Sequence, residues 1–133
     1  MKLQLRFVEP KDLPNINDWL IGWKLNPLPL GMYPTTGLIV YNEEDGGEIY
    51  SGFVFMSNSK MAQVGFITRN PFYKKKINKQ VRKEFIISLN SYAKELGYEY
   101  VISWAENKFL IKDFKELGFM ESSNRVSELI IKL

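Results

Sequence analysis

Six of the 18 basic residues of this chain fall between Lys74 and Lys83, within the segment ITRNPFYKKKINKQVRK (67–83). An apolar run ends at Asn70-Pro71, lysines follow at 74, 75, 76 and 79, and a helical pattern starts directly behind them. Helix N-terminal amides point at an anion placed there, and the helix dipole favours its charge. Such loops normally carry glycine, which lets the backbone approach a phosphate closely. This loop has none, so lysine charge would have to substitute for close amide approach. A solvated charge cluster and a nucleic-acid contact are the competing readings. The position between strand and helix favours a phosphorylated small ligand, since only Phe72 and Tyr73 offer rings for stacking bases. A second constellation is Glu106-Asn107, between a strand pattern and a helix pattern. Ligands of open α/β sheets bind at such carboxyl ends. Glu106 is the candidate proton acceptor there, and Asn107 is equally suited to capping the helix.

Composition narrows the chemistry further. The 133 residues contain no Cys and no His. That removes disulfides, thiolate or imidazole metal sites, Cys nucleophiles and Ser-His-Asp triads. Proton transfer falls to Asp, Glu, Tyr, Lys, a terminus or water. The acidic segment EEDGGE (43–48) lacks a regular metal-ligand pattern and fits a hairpin turn, so no metal site is expected. The net charge of +3 is modest, which points to a local anion site rather than a generally basic surface. Apolar residues make up 45% of the chain, enough for one domain, 1–133, with one core. No apolar run suits a bilayer and no leader pattern stands out, so a cytoplasmic protein is expected.

The elements that must position these residues follow from periodicity. Leu3, Leu5 and Phe7 alternate as a strand, and Ile16, Trp19, Leu20 and Trp23 mark a helix over 13–23 with Asp12 as N-cap. Residues 26–34 carry three prolines and form a long connection of the kind that lines binding sites. A meander follows, with strands at 37–42, 48–57 and 61–68. Gly65 within the last of these predicts a bulge or a close backbone approach. Val81, Phe85, Leu89, Tyr92 and Leu96 mark a helix over about 78–96 that Gly97 ends. A strand at 98–106, a helix at 107–119 and a final strand at 126–133 complete the pattern. The order β-α-β-β-β-α-β-α-β predicts one α/β (mixed α+β) domain, with a mixed twisted sheet and helices on both faces. Strands 61–68 and 99–104, joined through a helix, should run parallel.

This order resembles the GNAT superfamily, the acetyl-CoA-dependent N-acetyltransferases, over nearly the whole chain. Two segments carry the likeness: the strand-NP-loop-helix at 64–96, in the place of the GNAT pyrophosphate motif, and AENKFLIKDFKELGF (105–119), similar to the GNAT ending of strand, Asn, helix and Leu-Gly-Phe. It is closest in character to small phage-encoded GNAT-like proteins. The resemblance implies acetyl-CoA (CoA) lying between the two parallel strands. Backbone amides around Ile67 and Thr68 would meet the pantetheine. Lys74, Lys75, Lys76, Ile77, Asn78 and Lys79 would meet the pyrophosphate, Asn107 would touch the cofactor, and Tyr33 would face the acceptor. The chain departs from the family at four places. Lys76 and Asn78, or Ile77 and Lys79 in a register shifted by one, stand at the loop's glycine positions, Phe114 replaces a tyrosine general acid, and Gln63 replaces a glutamate base. Two functions are implied. One is an N-acyltransferase acting on a small-molecule or peptide amine by direct transfer. The other is an inactive GNAT-fold binding protein, virion-associated or host-interacting, in the virion or the host cytoplasm. The family's habits allow a homodimer.

Overall fold

The computed structural model describes residues 1–133. One five-stranded sheet runs in the order β1 (Leu3–Phe7), β2 (Gly37–Asn42), β3 (Glu48–Phe55), β4 (Met61–Arg69) and β5 (Tyr100–Ile102). The first four strands pair antiparallel, and β4 pairs β5 in parallel. Three α-helices accompany it: α1 (Leu13–Gly22), α2 (Lys79–Glu95) and α3 (Lys108–Glu116).

Each face of the sheet has its own apolar layer. On one, Val81, Phe85, Leu89 and Ala93 of α2 pack with Leu38, Val40, Val54, Ala62 and Val64. The i, i+4, i+8 spacing of that stripe is what makes α2 amphipathic. Gly52 is required beneath it, because a Cβ there would lie 2.7 Å from a Leu89 methyl carbon. On the other face, Ile16 and Trp19 of α1 meet Tyr33 and Phe53. Gly97 and Gly118 end α2 and α3 in the left-handed region, at φ +99 and +97, where a side chain would be strained.

Three expectations need correction. Asp12 holds the expected N-cap position of α1, but its side chain accepts no bond from that helix; the residue also closes a short 3-10 turn at Pro10–Asp12. Its carboxylate accepts from the Glu9 amide (2.7 Å) and, in a two-pronged contact, from Arg6 (2.8 and 2.9 Å). Arg6 also reaches Glu48 at 2.8 Å. The guanidinium holds the Asp12 carboxyl below its ordinary range, and the two carboxylates raise Arg6 in turn. Trp23 is not core: α1 ends one residue before it, and its exposed indole donates to the Arg69 carbonyl at 2.8 Å. The predicted strand at 126–133 does not form, so the sheet has five strands rather than six. Its apolar pattern is a local signal, whereas a strand exists only once its amides find a partner. These residues form no backbone hydrogen bond within the chain.

Candidate active site

The site begins with a defect in pairing. Between β3 and β4 the register passes from Ser51↔Thr68 to Phe53↔Gly65, so Phe66 and Ile67 together oppose Gly52. This is the bulge that Gly65 announces in the sequence, although the residue that bends is its neighbour. Phe66 has φ 53, a conformation costing roughly 1–2 kcal/mol for a residue with a Cβ. Its ring is held between Phe55 and Tyr33, at centroid distances of 5.1 and 5.8 Å, and this packing offsets the strain.

The strand on the other side of β4 leaves just before the bulge. β4 and β5 pair only from Met61↔Tyr100 to Gln63↔Ile102. Ser103 Oγ then donates to the Val64 carbonyl at 2.7 Å and closes the ladder. From Gly65 to Arg69, β4 has no partner on its β5 side. The predicted strand at 98–106 is accordingly three residues long. Beyond that point the two strands are unpaired, which leaves a gap in the ladder with Gly65–Arg69, including Ile67 and Thr68, on one side and Ser103–Glu106 on the other. Thr68 is buried and Ile67 packs partly against the α2 core.

The lysine loop follows the unpaired end of β4. Asn70 anchors its start, donating to the Glu48 carbonyl (2.9 Å) and accepting from the Phe72 amide (2.9 Å). Tyr73 anchors its middle. The ring lies over Gly47, where a Cβ would come within 2.2 Å of it. Its hydroxyl accepts from Asn42 and donates to Asp45, both at 3.0 Å. Lys75 completes this latch with Asp45 at 2.8 Å. Lys75 and the Gly47 amide hold the Asp45 carboxyl at about 2, and Asp45 raises Lys75. Lys74, Lys76 and Lys79 are exposed and form no ion pair. Ile77 tucks partly against the core. Asn78 is the N-cap of α2, and its side-chain oxygen accepts from the Gln80 amide at 2.9 Å.

Beyond β5, Asn107 caps α3, accepting from the amides of Phe109 (2.8 Å) and Leu110 (3.3 Å). Glu106 beside it is exposed and engaged in no hydrogen bond or ion pair. The first turns of α2 are tied to the C-terminal half of α3 by Arg82 with Asp113 and Lys83 with Glu116.

Ile67 and Thr68 thus lie on the stretch of β4 that has no β5 partner, the lysine loop and Asn78 follow it in the chain, and Glu106 and Asn107 follow β5. The structure places Tyr33 differently. Tyr33 is buried against Phe53 and Phe66, its hydroxyl donates to Asn17 at 2.7 Å, and burial raises its pKa. It supports the bulge rather than presenting a free hydroxyl. Phe114 is likewise internal, packed edge-on against Phe119. Sequence reasoning missed Ser103 and the Asp45–Tyr73–Lys75 latch. The acidic turn facing a basic loop was the available hint for the latch, while nothing local marks Ser103.

The bulged strand, the partner that veers away and the helix start behind a basic loop form one recognisable arrangement. The fold is that of the GNAT N-acetyltransferases. An acetyltransferase from Trypanosoma brucei superposes with a TM-score of 0.67 at 18% identity, covering 97% of this chain and 100% of that one. Glucosamine-6-phosphate N-acetyltransferase from Arabidopsis thaliana gives 0.66 at 13%, over 98% and 100%. N-acetylglutamate synthase from Neisseria gonorrhoeae, complexed with coenzyme A and N-acetyl-glutamate, gives 0.72 at 13%, over 92% of this chain and 29% of that one. The sequence matches no family model and no curated protein. At these identities the GNAT likeness is one of fold, and activity must be argued from the gap itself. No helix is long and apolar enough to cross a membrane.

Proposed function

We propose that this protein is an acetyl-CoA-dependent N-acyltransferase that acts on an amine by direct transfer. The observation that carries this reading is the parting of β4 and β5 beyond Val64, beside the bulge and in front of the lysine loop. The donor set fits CoA. Strand amides between Gly65 and Arg69 lack a sheet partner on one side and suit the amide-rich pantetheine arm. Lys74, Lys76 and Lys79 supply unpaired positive charge where phosphates would lie. The thioester supplies an activated acyl group, so the chain needs no nucleophile of its own, and its lack of Cys and His is no obstacle.

The chain's own residues then have defined tasks. A strand amide at the bulge polarises the acyl carbonyl and stabilises the developing oxyanion. The gap holds the reactants together, which replaces a collision by a fixed approach. Glu106, free of other partners, accepts the proton that an amine of pKa about 10 must lose, directly or through water. Lys75 and Asn78 are committed to the latch and the helix cap, which leaves Lys74, Lys76 and Lys79 as the phosphate-facing groups. The same commitments favour a second reading, a scaffold that keeps the gap without turnover.

Calorimetric titration with CoA and acetyl-CoA tests the first step. Saturable binding is expected, and no heat at millimolar ligand would remove the reading. Thiol release from acetyl-CoA in the presence of a panel of amines tests the second. Binding without release would leave the scaffold.

A further inference from the structure

We infer that the indole of Trp23 is a built-in competitor for the ligand of the gap: it holds the Arg69 carbonyl that an N–H of the ligand would take, so the ligand must displace it. The inference rests on the acyltransferase reading, with the amide-bearing pantetheine arm as that ligand. The direction of the carbonyl follows from the sheet. The Asn70 amide donates to the Ile49 carbonyl, which makes Tyr50 and Arg69 an opposed pair that exchanges no backbone hydrogen bonds. The backbone groups of Arg69 therefore point away from β3, to the side on which β5 would lie. There β5 has already parted from β4, its last pair being Gln63↔Ile102. Side chains meet the carbonyls at the two ends of this unpaired stretch. Val64 receives Ser103 Oγ at 2.7 Å, and Arg69 receives Trp23 Nε1 at 2.8 Å. The first donor follows β5 directly in the chain. The second comes from the end of α1, outside the ladder, and offers the same kind of N–H that an amide would.

The mounting of Trp23 suits its release. Helix α1 ends at Gly22, and the missing side chain lets that end seat on the start of the lysine loop. A Cβ there would lie 2.7 Å from Pro71 Cγ and 3.1 Å from Phe72 Cζ. Lys24 follows Trp23 in the left-handed region, at φ 60. Its amide donates to the Ile21 carbonyl and that of Leu25 to the Leu20 carbonyl. Lys24 thus fills the helix-closing position that Gly97 and Gly118 fill after α2 and α3. A lysine is strained there where a glycine is not, and such strain gathers at sites that move or bind. Trp23 stands between these two residues, is 48% exposed, and belongs to neither apolar layer. One exposed hydrogen bond fixes the far end of its ring. A bond of that kind changes an equilibrium by about fivefold, enough to weaken a ligand without excluding it.

Calorimetric titration of CoA into the wild-type chain and into Trp23→Phe, with the indole N–H signals followed by NMR, tests this. Phenylalanine keeps an apolar ring at the end of α1 and removes the donor. The variant should bind CoA about fivefold more tightly. The indole signal that the substitution deletes belongs to Trp23. In the wild-type protein it should shift on addition of CoA, and its proton should exchange with water about tenfold faster in the complex. Equal or weaker binding by the variant would overturn the inference. So would an indole proton that stays protected in the complex, because the ligand would then sit beside the ring, on the second lone pair of the carbonyl or elsewhere. Should the variant unfold, the wild-type NMR measurement decides alone. Equal binding by both proteins removes this inference and leaves the acyltransferase reading standing, whereas no binding by either removes both.

Discussion

The starts of α2 and α3 are capped alike and charged oppositely. α2 begins at Asn78 and α3 at Asn107, each asparagine accepting from amides of its own first turn. Ahead of Asn78 lie Lys74, Lys75 and Lys76, and ahead of Asn107 lies Glu106. The same capping device therefore serves two purposes. One start collects positive charge behind the unpaired end of β4, and the other leaves a single unpaired carboxylate. The difference teaches that capping alone says nothing about function, and that the unpaired charges beside the caps do.

The comparison can be broken most directly at its acidic half. Glu106→Gln should lower turnover about 100-fold while CoA affinity, read by calorimetry, stays unchanged. If turnover also stays unchanged, the α3 start is a cap and nothing more. The basic half should respond in the opposite sense. Replacing Lys74, Lys76 and Lys79 together by Ala should weaken CoA binding about tenfold and flatten its dependence on salt. Lys75→Ala alone should do less, because that lysine is held by Asp45. Equal effects of the two variants would show that the latch does not set Lys75 apart.

Smaller effects sharpen the same contrast. Asn78→Ala and Asn107→Ala should each cost about 1 kcal/mol in urea unfolding, with little difference between them, since the caps are alike and only their surroundings differ. The smallest effect concerns pH. Asp45 titrates near 2 in the folded protein, below its ordinary value, because of Lys75 and the Gly47 amide. The contribution of the latch is therefore fully present above the ordinary aspartate range and is lost as pH falls through about 2. Side-chain NMR signals of Tyr73 should hold steady down to pH about 3 and move below it. In Asp45→Asn they should not move in that window.

What the sequence made legible is what depends on near neighbours. The α2 stripe of Val81, Phe85 and Leu89 follows from periodicity alone, and all three are buried. Gly65 marked the bulge to within one residue, and EEDGG marked the hairpin that the structure forms. What was not legible depends on partners far along the chain. Tyr33 sits in a proline-rich loop that resembles a cleft wall, but its hydroxyl is claimed by Asn17 of α1. Lys75 is indistinguishable from Lys74 and Lys76 until Asp45, 30 positions away, is placed beside it. β5 is shorter than its apolar run because Ser103 turns back to Val64. The segment at 126–133 has a strand's pattern without a strand's partner. In each case the local signal gives a residue's propensity, and the distant contact decides its role.

The brevity of β5 has a mechanical consequence. β5 pairs with β4 through three residue pairs and the Ser103–Val64 hydrogen bond, and α3 is tied to α2 by Arg82–Asp113 and Lys83–Glu116, while β4 is bound to β3 along most of its length. The seam between β4 and β5 is thus the natural line of local opening. A molecule seated in the gap would stitch across that seam. Its binding would be felt first as slower exchange of the β5 and α3 amides, and only then as a higher melting temperature.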